Sequence, residues 1–369
     1  MKRKMMFVLL GVICLLLITI VLSTGDAEAK EKSITLKFAN YLPPQSAHSK
    51  IIEEFIHDLE LRTNGRVKGK YFIGGSLLKG TTMYNGIETG IADIGFSHVY
   101  YTPGRMPVTE LTGLPLGSTS AWVCSHVLND FYFKVRPKEW DNVKVLWLSS
   151  TMTASIISKE PIRKLEDIKG LTIRAPGVVG EIVRALGGTP APTPIMEIYD
   201  GLAKGVLDGD YGNYEIIKAF RLSDVAKYTT TSWQLGAAYP FYTIMNKNTY
   251  EKLPSDVREI FNDLCGEYRE RYALMWNQIE IGGKNYGEKN GMKFIDISDE
   301  EAAKWNKAVE SVVDDQVNRM VEKGFSKPEV MEWLSYIKER IDYYTKKQIE
   351  YRVPSPTGPP AMRPENIAK

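Results

Sequence analysis

From Pro254 to about Lys289 the chain reads as one uninterrupted helix, longer than a compact domain usually needs. The remainder must therefore supply enough packed structure to cover it. With 369 residues there is enough chain for two domains, each with its own core. The other elements alternate in kind. Ile34 to Asn40 alternates apolar and polar residues as a half-buried strand does, and the Pro43-Pro44 break follows. Ser46 then starts a helix that runs to about Thr63, where Asn64-Gly65 ends it. Val67 to Ile73 is the next strand, and a helix near Thr81 to Thr89 leads into a strand over Ala92 to Phe96. This rhythm predicts parallel α/β layers.

After a helix at Ala121 to Phe133 the pattern restarts. Strands are expected at Val143 to Leu148 and Ala154 to Ser158, then at the run ending in Arg174. The helices Val178 to Leu186 and Ile195 to Lys204 and the strand Val206 to Asp210 complete a second α/β unit. Phe241 to Asn246 reads as a strand returning to the first unit. Two amphipathic helices, Asp299 to Glu322 and Lys327 to about Glu350, follow the long one. The tail from Pro354 to Lys369, with five prolines and no apolar period, is expected to be an extended strap or disordered.

The N-terminus carries an address. Lys2-Arg3-Lys4 is a basic start, Met5 to Leu22 an apolar run, and Ala27-Glu28-Ala29 a small-x-small cleavage site. The run is long enough to be read as a spanning helix too. The cleavage site, and no second apolar run, favour export and cleavage after Ala29, hence a periplasmic protein. A net charge of +2 gives no polybasic surface for nucleic acid. Cys124 and Cys265, 141 positions apart, define no disulfide framework, and Cys124 reads as a small buried residue.

Catalytic signatures fall short. Gly75 to Thr82 has the glycine spacing of a phosphate loop, but Thr81 stands where the lysine must be. Ser76-x-x-Lys79 lacks a partner Lys-Thr-Gly motif. His48, His57, His98 and His126 form no pair at metal-ligand spacing with another His or Cys. No catalytic residue, metal or cofactor is expected.

What remains is material for a binding cleft. Arg174 stands where a short apolar strand gives way to Ala175-Pro176-Gly177, and a guanidinium there offers a fixed cation with a planar fork suited to a carboxylate. Ligands in α/β folds gather outside the carboxyl ends of the strands. Those ends carry Asn40 and Tyr41, Ser97 and His98, Thr151, Met152 and Thr153, and Asp210, Tyr211, Asn213 and Tyr214. Trp233 and Gln234, just ahead of the strand at Phe241, are further candidates.

The stretch Ile168-Lys-Gly-Leu-Thr-Ile-Arg174, followed by Pro192 to Gly209 with Glu197, Tyr199, Leu202, Gly205, Asp208 and Gly209, resembles the solute-binding proteins of tripartite ATP-independent periplasmic (TRAP) transporters, in the dicarboxylate-binding-protein family. Gly90-Ile-Ala-Asp93-Ile-Gly and Tyr101 to Gly117 extend the resemblance, which covers roughly residues 33 to 325 in family order. It implies a two-lobed periplasmic-binding-protein-like α/β fold with the long helix spanning both lobes. Residues 30–149 would form lobe I, completed by about 238–277, and residues 150–237 lobe II, completed by about 278–325. The C-terminal helix and proline-rich tail, 326–369, would lie outside both.

The resemblance also implies a capture protein rather than an enzyme: it would bind a small organic acid, close on it and deliver it to the membrane permease subunits. An exported enzyme or ligand-sensing domain on the same fold is the alternative. Three departures bear on the ligand. The second arginine of sialic-acid-type members falls on Ala154, the aromatic four residues before Tyr199 is Ile195, and the common Gln-Glu-Asn-Pro is replaced by Asp210-Tyr211-Gly212-Asn213. A single matched arginine among Tyr41, Met152, Ile195, Tyr211 and Trp233 leans towards a monocarboxylate with an apolar or aromatic body.

Overall fold

A computed structural model describes residues 33–152, 154–231 and 233–367. The export signal and its cleavage site, and Thr153, lie outside these. Ser46 caps the helix Ala47–Arg62 by accepting the Ser49 N–H, which satisfies one of the donors a helix start leaves open. The later helices Ala121–Val135, Asp299–Glu322 and Lys327–Glu350 begin in the same way, with Ser120, Ser298 and Ser326 as caps. These serines fix the starts that the sequence pattern marks.

Eleven described strands form two sheets. The first contains β1 (Ile34–Asn40), β2 (Val67–Phe72), β3 (Ile94–His98), β4 (Val143–Ser150) and β10 (Pro240–Asn246), in the order β2-β1-β3-β10-β4. The second contains β5 (Ser155–Ser158), β6 (Thr172–Arg174), β7 (Thr189–Ala191), β8 (Gly209–Gly212), β9 (Tyr228–Thr231) and β11 (Lys293–Asp296), in the order β11-β9-β5-β8-β6-β7. Each sheet is the core of one lobe.

The expectation of purely parallel layers needs correcting. In the first sheet β10 runs antiparallel to β3 and β4, and in the second β5 runs antiparallel to β8 and β9. The cause is connectivity. A strand reached through a crossover helix enters its sheet from the far side and ends at the cleft. β5 and β10 are instead reached directly from the other lobe, so they enter from the cleft side and run the opposite way. The two connecting segments are tied together: Thr151 N–H donates to the Tyr239 carbonyl at 3.2 Å, and Ala154 N–H to the Ala237 carbonyl at 2.7 Å. The Tyr239 N–H returns a bond to the Thr151 hydroxyl at 3.1 Å.

Two motif aspartates act structurally, one in each lobe. Asp93 accepts the Lys37 N–H of β1 at 2.7 Å, and Asp208 accepts the Thr172 N–H of β6 at 2.8 Å. Each carboxylate holds a neighbouring strand in register.

The long helix is Ser255–Lys289, 35 residues, so its axis is about 50 Å long at 1.5 Å per residue. It packs on β4 and the helices Ala47–Arg62 and Ala121–Val135 in lobe I, and on the short helix Glu215–Ala219 and β11 in lobe II. The second contact requires glycine. A Cβ on Gly283 would lie 2.0 Å from the Tyr214 carbonyl oxygen.

The tail is ordered through residue 367 and forms the strap rather than the disordered alternative. Thr357 hydroxyl donates to the Thr119 carbonyl at 3.0 Å, Asn277 of the long helix donates to the Pro354 carbonyl at 3.0 Å, and Met362 is buried. Cys124 and Cys265 are buried and unbridged.

Candidate functional site

Between the lobes lies a small cavity of about 40 Å³. Arg174, at the last position of β6, points into it from lobe II and is only 4 % exposed. Its Nε donates to the Thr193 carbonyl at 2.9 Å, which sets the plane of the guanidinium. The terminal nitrogens are loosely held: 3.4 Å to Asp210 Oδ1 and 3.4 Å to the Tyr101 hydroxyl. Burial works against the Arg174 charge, but Asp210 and nearby hydroxyls more than offset it. Burial also pushes the Asp210 carboxyl up to about 6, with Arg174 resisting the rise. The outcome is a charged fork whose end donors remain available to a stronger partner.

Lobe I supplies an aromatic wall. His98, at the end of β3, accepts the Tyr100 N–H through Nδ1 at 2.9 Å. Burial, and secondarily the Arg174 charge, hold His98 well below the ordinary imidazole range. The ring is therefore neutral with its proton on Nε2, a buried donor without a partner among the described residues. His98 stacks on Tyr101 at 5.0 Å between centroids and meets Phe241 edge-on at 4.5 Å. Trp276, from the long helix, also lines the cavity, and its Nε1–H is likewise buried without a partner among the described residues. His48, beside Trp276, also lines the cavity, and burial pushes it down to about 3, so it adds no charge.

Lobe I also touches lobe II directly. The Ile195 N–H donates to the Tyr101 hydroxyl at 3.0 Å. The ring of Tyr100 lies where a Cβ on Gly177 would be, at 2.4 Å, and Gly177 has φ of 63°, so glycine is needed there twice over.

Of the residues expected from sequence, Tyr41, His98, Thr151, Arg174, Ile195 and Asn213 line the cavity. The others do different work. Asn40 is buried, donating to Ser49 and Tyr71 and accepting the Leu42 N–H. Ser97 donates to the Gly80 carbonyl at 2.8 Å. Met152 is fully buried, and Tyr214 bonds Thr231 inside lobe II. Asp210 acts through Arg174, while Tyr211 lends its carbonyl to the Tyr239 hydroxyl. Trp233 and Gln234 sit in a 3-10 turn packed against the helix Asp299–Glu322, away from the cavity. A strand end has two faces, and only one of them looks into the cleft.

Sequence reasoning missed Tyr101, Glu215, Tyr239, Phe241 and Trp276. Tyr239 and Phe241 enter through the amino end of β10, which a search of carboxyl ends overlooks. Trp276 lies in mid-helix, where nothing local distinguishes a cleft residue from a core one. Asn213 Nδ2 donates to Glu280 Oε1 at 2.6 Å, and the Glu215 N–H donates to Glu280 Oε2 at 2.9 Å. Burial pushes Glu280 up to about 8 and Glu215 to about 7. Among the described residues no group of His, Cys, Asp and Glu is placed to hold a metal ion.

Residues 38–320 match the family model described as bacterial extracellular solute-binding protein, family 7. A solved TRAP periplasmic solute-binding protein from Desulfovibrio salexigens is 31 % identical, with 85 % of this chain and 98 % of that one covered and a TM-score of 0.75. Its open complex holds the C-terminus of a symmetry mate in the ligand-binding site. A TRAP solute-binding protein from Rhodoferax ferrireducens, solved with copurified benzoate, superimposes with a TM-score of 0.80 at 22 % identity, covering 85 % of this chain and 99 % of that one, a likeness of fold. A monocarboxylate 2-oxoacid-binding periplasmic protein from a Nostoc species is 27 % identical over 207 residues, 54 % of this chain and 56 % of its own length.

Proposed function

This chain belongs to family 7 of the bacterial extracellular solute-binding proteins, and from that premise we propose that it captures an organic monocarboxylic acid between its lobes and delivers it to the membrane permease of a TRAP transporter. The family consists of binding proteins, which sets aside the exported-enzyme alternative. It is extracytoplasmic, and among the described residues no helix is long and apolar enough to cross a membrane. Export would follow from the basic and apolar start, with cleavage after Ala29.

The observation that carries the reading is Arg174: a buried guanidinium with its end donors loosely engaged, facing a wall of rings. The ligand carboxylate takes the fork, and its body lies against Tyr41, Tyr101, Phe241 and Trp276. His98 Nε2–H and Trp276 Nε1–H are further donors for acceptor atoms. A second carboxylate would find no second cation, because Arg174 is the one charged base among the described lining residues and both histidines there are neutral. Leaving such a charge unpaired costs several kcal/mol, roughly 3–5 by comparison with broken buried pairs. The solved relative with benzoate and the Nostoc relative named for monocarboxylates support an acid of this class.

Because ligand contacts reach both lobes, binding favours the closed form. A thermal-shift screen of organic acids tests the reading, since a ligand at a hundred times its Kd stabilises by about 2.7 kcal/mol. Monocarboxylates with apolar or aromatic bodies should raise the melting temperature. A screen in which only dicarboxylates or neutral sugars do so would overturn the choice of ligand while leaving the family intact.

A further inference from the structure

We propose that Glu215 is the ligand's second anchor, recognising a hydrogen-bond donor, a hydroxyl or an ammonium, on the acid's end away from its carboxylate. This inference rests on the reading of the cavity as the acid's site.

The backbone of Glu215 is fixed. Its N–H is held by Glu280 at 2.9 Å, the preceding loop is held by Asn213 on the same carboxyl, and Gly283 lets the long helix close against that loop. The Glu215 side chain is treated differently. Its carboxyl makes no hydrogen bond or ion pair with any described residue. It lines the inner cavity, where it is the one acid among the described lining residues.

Glu215 also lines an outer groove of about 750 Å³, between Pro43 to Lys50 of lobe I and Lys218 to Arg221 of lobe II, floored by Met275 to Gly282 of the long helix. Arg174 lines only the inner space. The cavity thus has a cation at its inner end and an unengaged carboxyl where it opens outward. Its two buried donors, His98 Nε2 and Trp276 Nε1, make no hydrogen bond to Glu215 or to any other described residue, and can serve acceptor atoms of a ligand.

A half-buried carboxylate loses hydration and regains it only from a donor. An acid with a distal hydroxyl or ammonium supplies that donor while its carboxylate occupies Arg174. A plain aromatic acid leaves Glu215 unanswered. Above pH 7, where Glu215 is ionised, a diacid presents like charge to it. The carboxyl is therefore a filter as well as an anchor.

Calorimetry on the full chain tests this with phenylacetate, 3- and 4-hydroxyphenylacetate, 4-(aminomethyl)phenylacetate and 1,4-phenylenediacetate. The donor-bearing acids should bind at least tenfold more tightly than phenylacetate, and the diacid most weakly. In Glu215→Gln both advantages should shrink, the ammonium's more, because the amide oxygen still accepts but no longer carries the opposite charge. Glu215→Asp, which shortens the reach and keeps the charge, should retain only part of the preference, and melting curves check that both variants fold. Equal binding of plain and donor-bearing acids, or a preference undiminished in Glu215→Gln, overturns the proposal. If that indifferent binding is lost in Arg174→Ala, the carboxylate reading stands without Glu215. Failure of every acid to bind removes both.

Discussion

Replacing Arg174 by lysine keeps a positive charge in β6 but removes the planar fork, so it separates charge from geometry. In the wild type Nε is committed to the Thr193 carbonyl at 2.9 Å, and the two terminal nitrogens, with contacts of 3.4 Å, remain for the ligand. One ammonium cannot serve Thr193 and both carboxylate oxygens. Binding of the cognate acid should weaken by roughly 1.5–3 kcal/mol, the scale of a hydrogen bond to a charged group, or about ten- to a hundred-fold.

Arg174→Ala should also cost stability. It strips the cation from buried Asp210, and breaking a buried pair costs about 3–5 kcal/mol. Two features place the expected loss at or below the lower end. The pair is long, and the Asp210 carboxyl, already pushed up to about 6, can take up a proton. That escape closes as pH rises, so the deficit should be larger at pH 8 than at pH 5. Calorimetry gives the affinity and urea unfolding the stability, in the same buffers. Unchanged affinity in Arg174→Lys and Arg174→Ala would refute the assignment of the carboxylate to this residue.

Tyr101→Phe removes the hydroxyl that receives the Ile195 N–H from the other lobe; ligand affinity should fall by roughly 1 kcal/mol, and an unaltered Kd would show that this contact does not contribute to closure. The buried acids set a pH dependence whose sign is opposite to that of ordinary ion pairs. Glu280, at about 8 in the fold against roughly 4.3 in an unfolded chain, keeps in the native state a proton that the unfolded state releases, so stability falls as pH rises between those values. Urea midpoints should therefore decline from pH 5.5 to 8.5, less so in Glu280→Gln, and a flat or rising profile would contradict the burial argument. Small-angle scattering should give a smaller radius of gyration with saturating acid, since closure must bend the long helix or turn the paired segments near Thr151 and Tyr239; an unchanged radius would argue for a rigid cleft.

Most elements were legible in the sequence because their signals are local. Ser46, Ser120, Ser298 and Ser326 mark helix starts, the apolar period marks the faces, and no helix-breaking proline interrupts Ser255–Lys289. The strands left unassigned, β7, β9 and β11, are three or four residues long. Tyr228–Thr231 is almost all threonine, so its pattern says little about which neighbours pair with it. Arg174 could be placed because its strand and the turn after it are contiguous in sequence. Trp276, 102 positions further along, could not be joined to it by any local rule.

By itself, then, the sequence determined where most helices and the longer strands lie, that the chain could build two cores, and which arginine stands at a strand mouth. Tertiary structure alone decided that β5 and β10 run against their sheets, because direction depends on the side from which a strand is entered. It also decided that Tyr239, Phe241 and Trp276 face the cleft while Asn40, Ser97 and Tyr214 face inward. Exposure to a shared cavity is a property of packed surfaces from distant segments, and no single segment carries it.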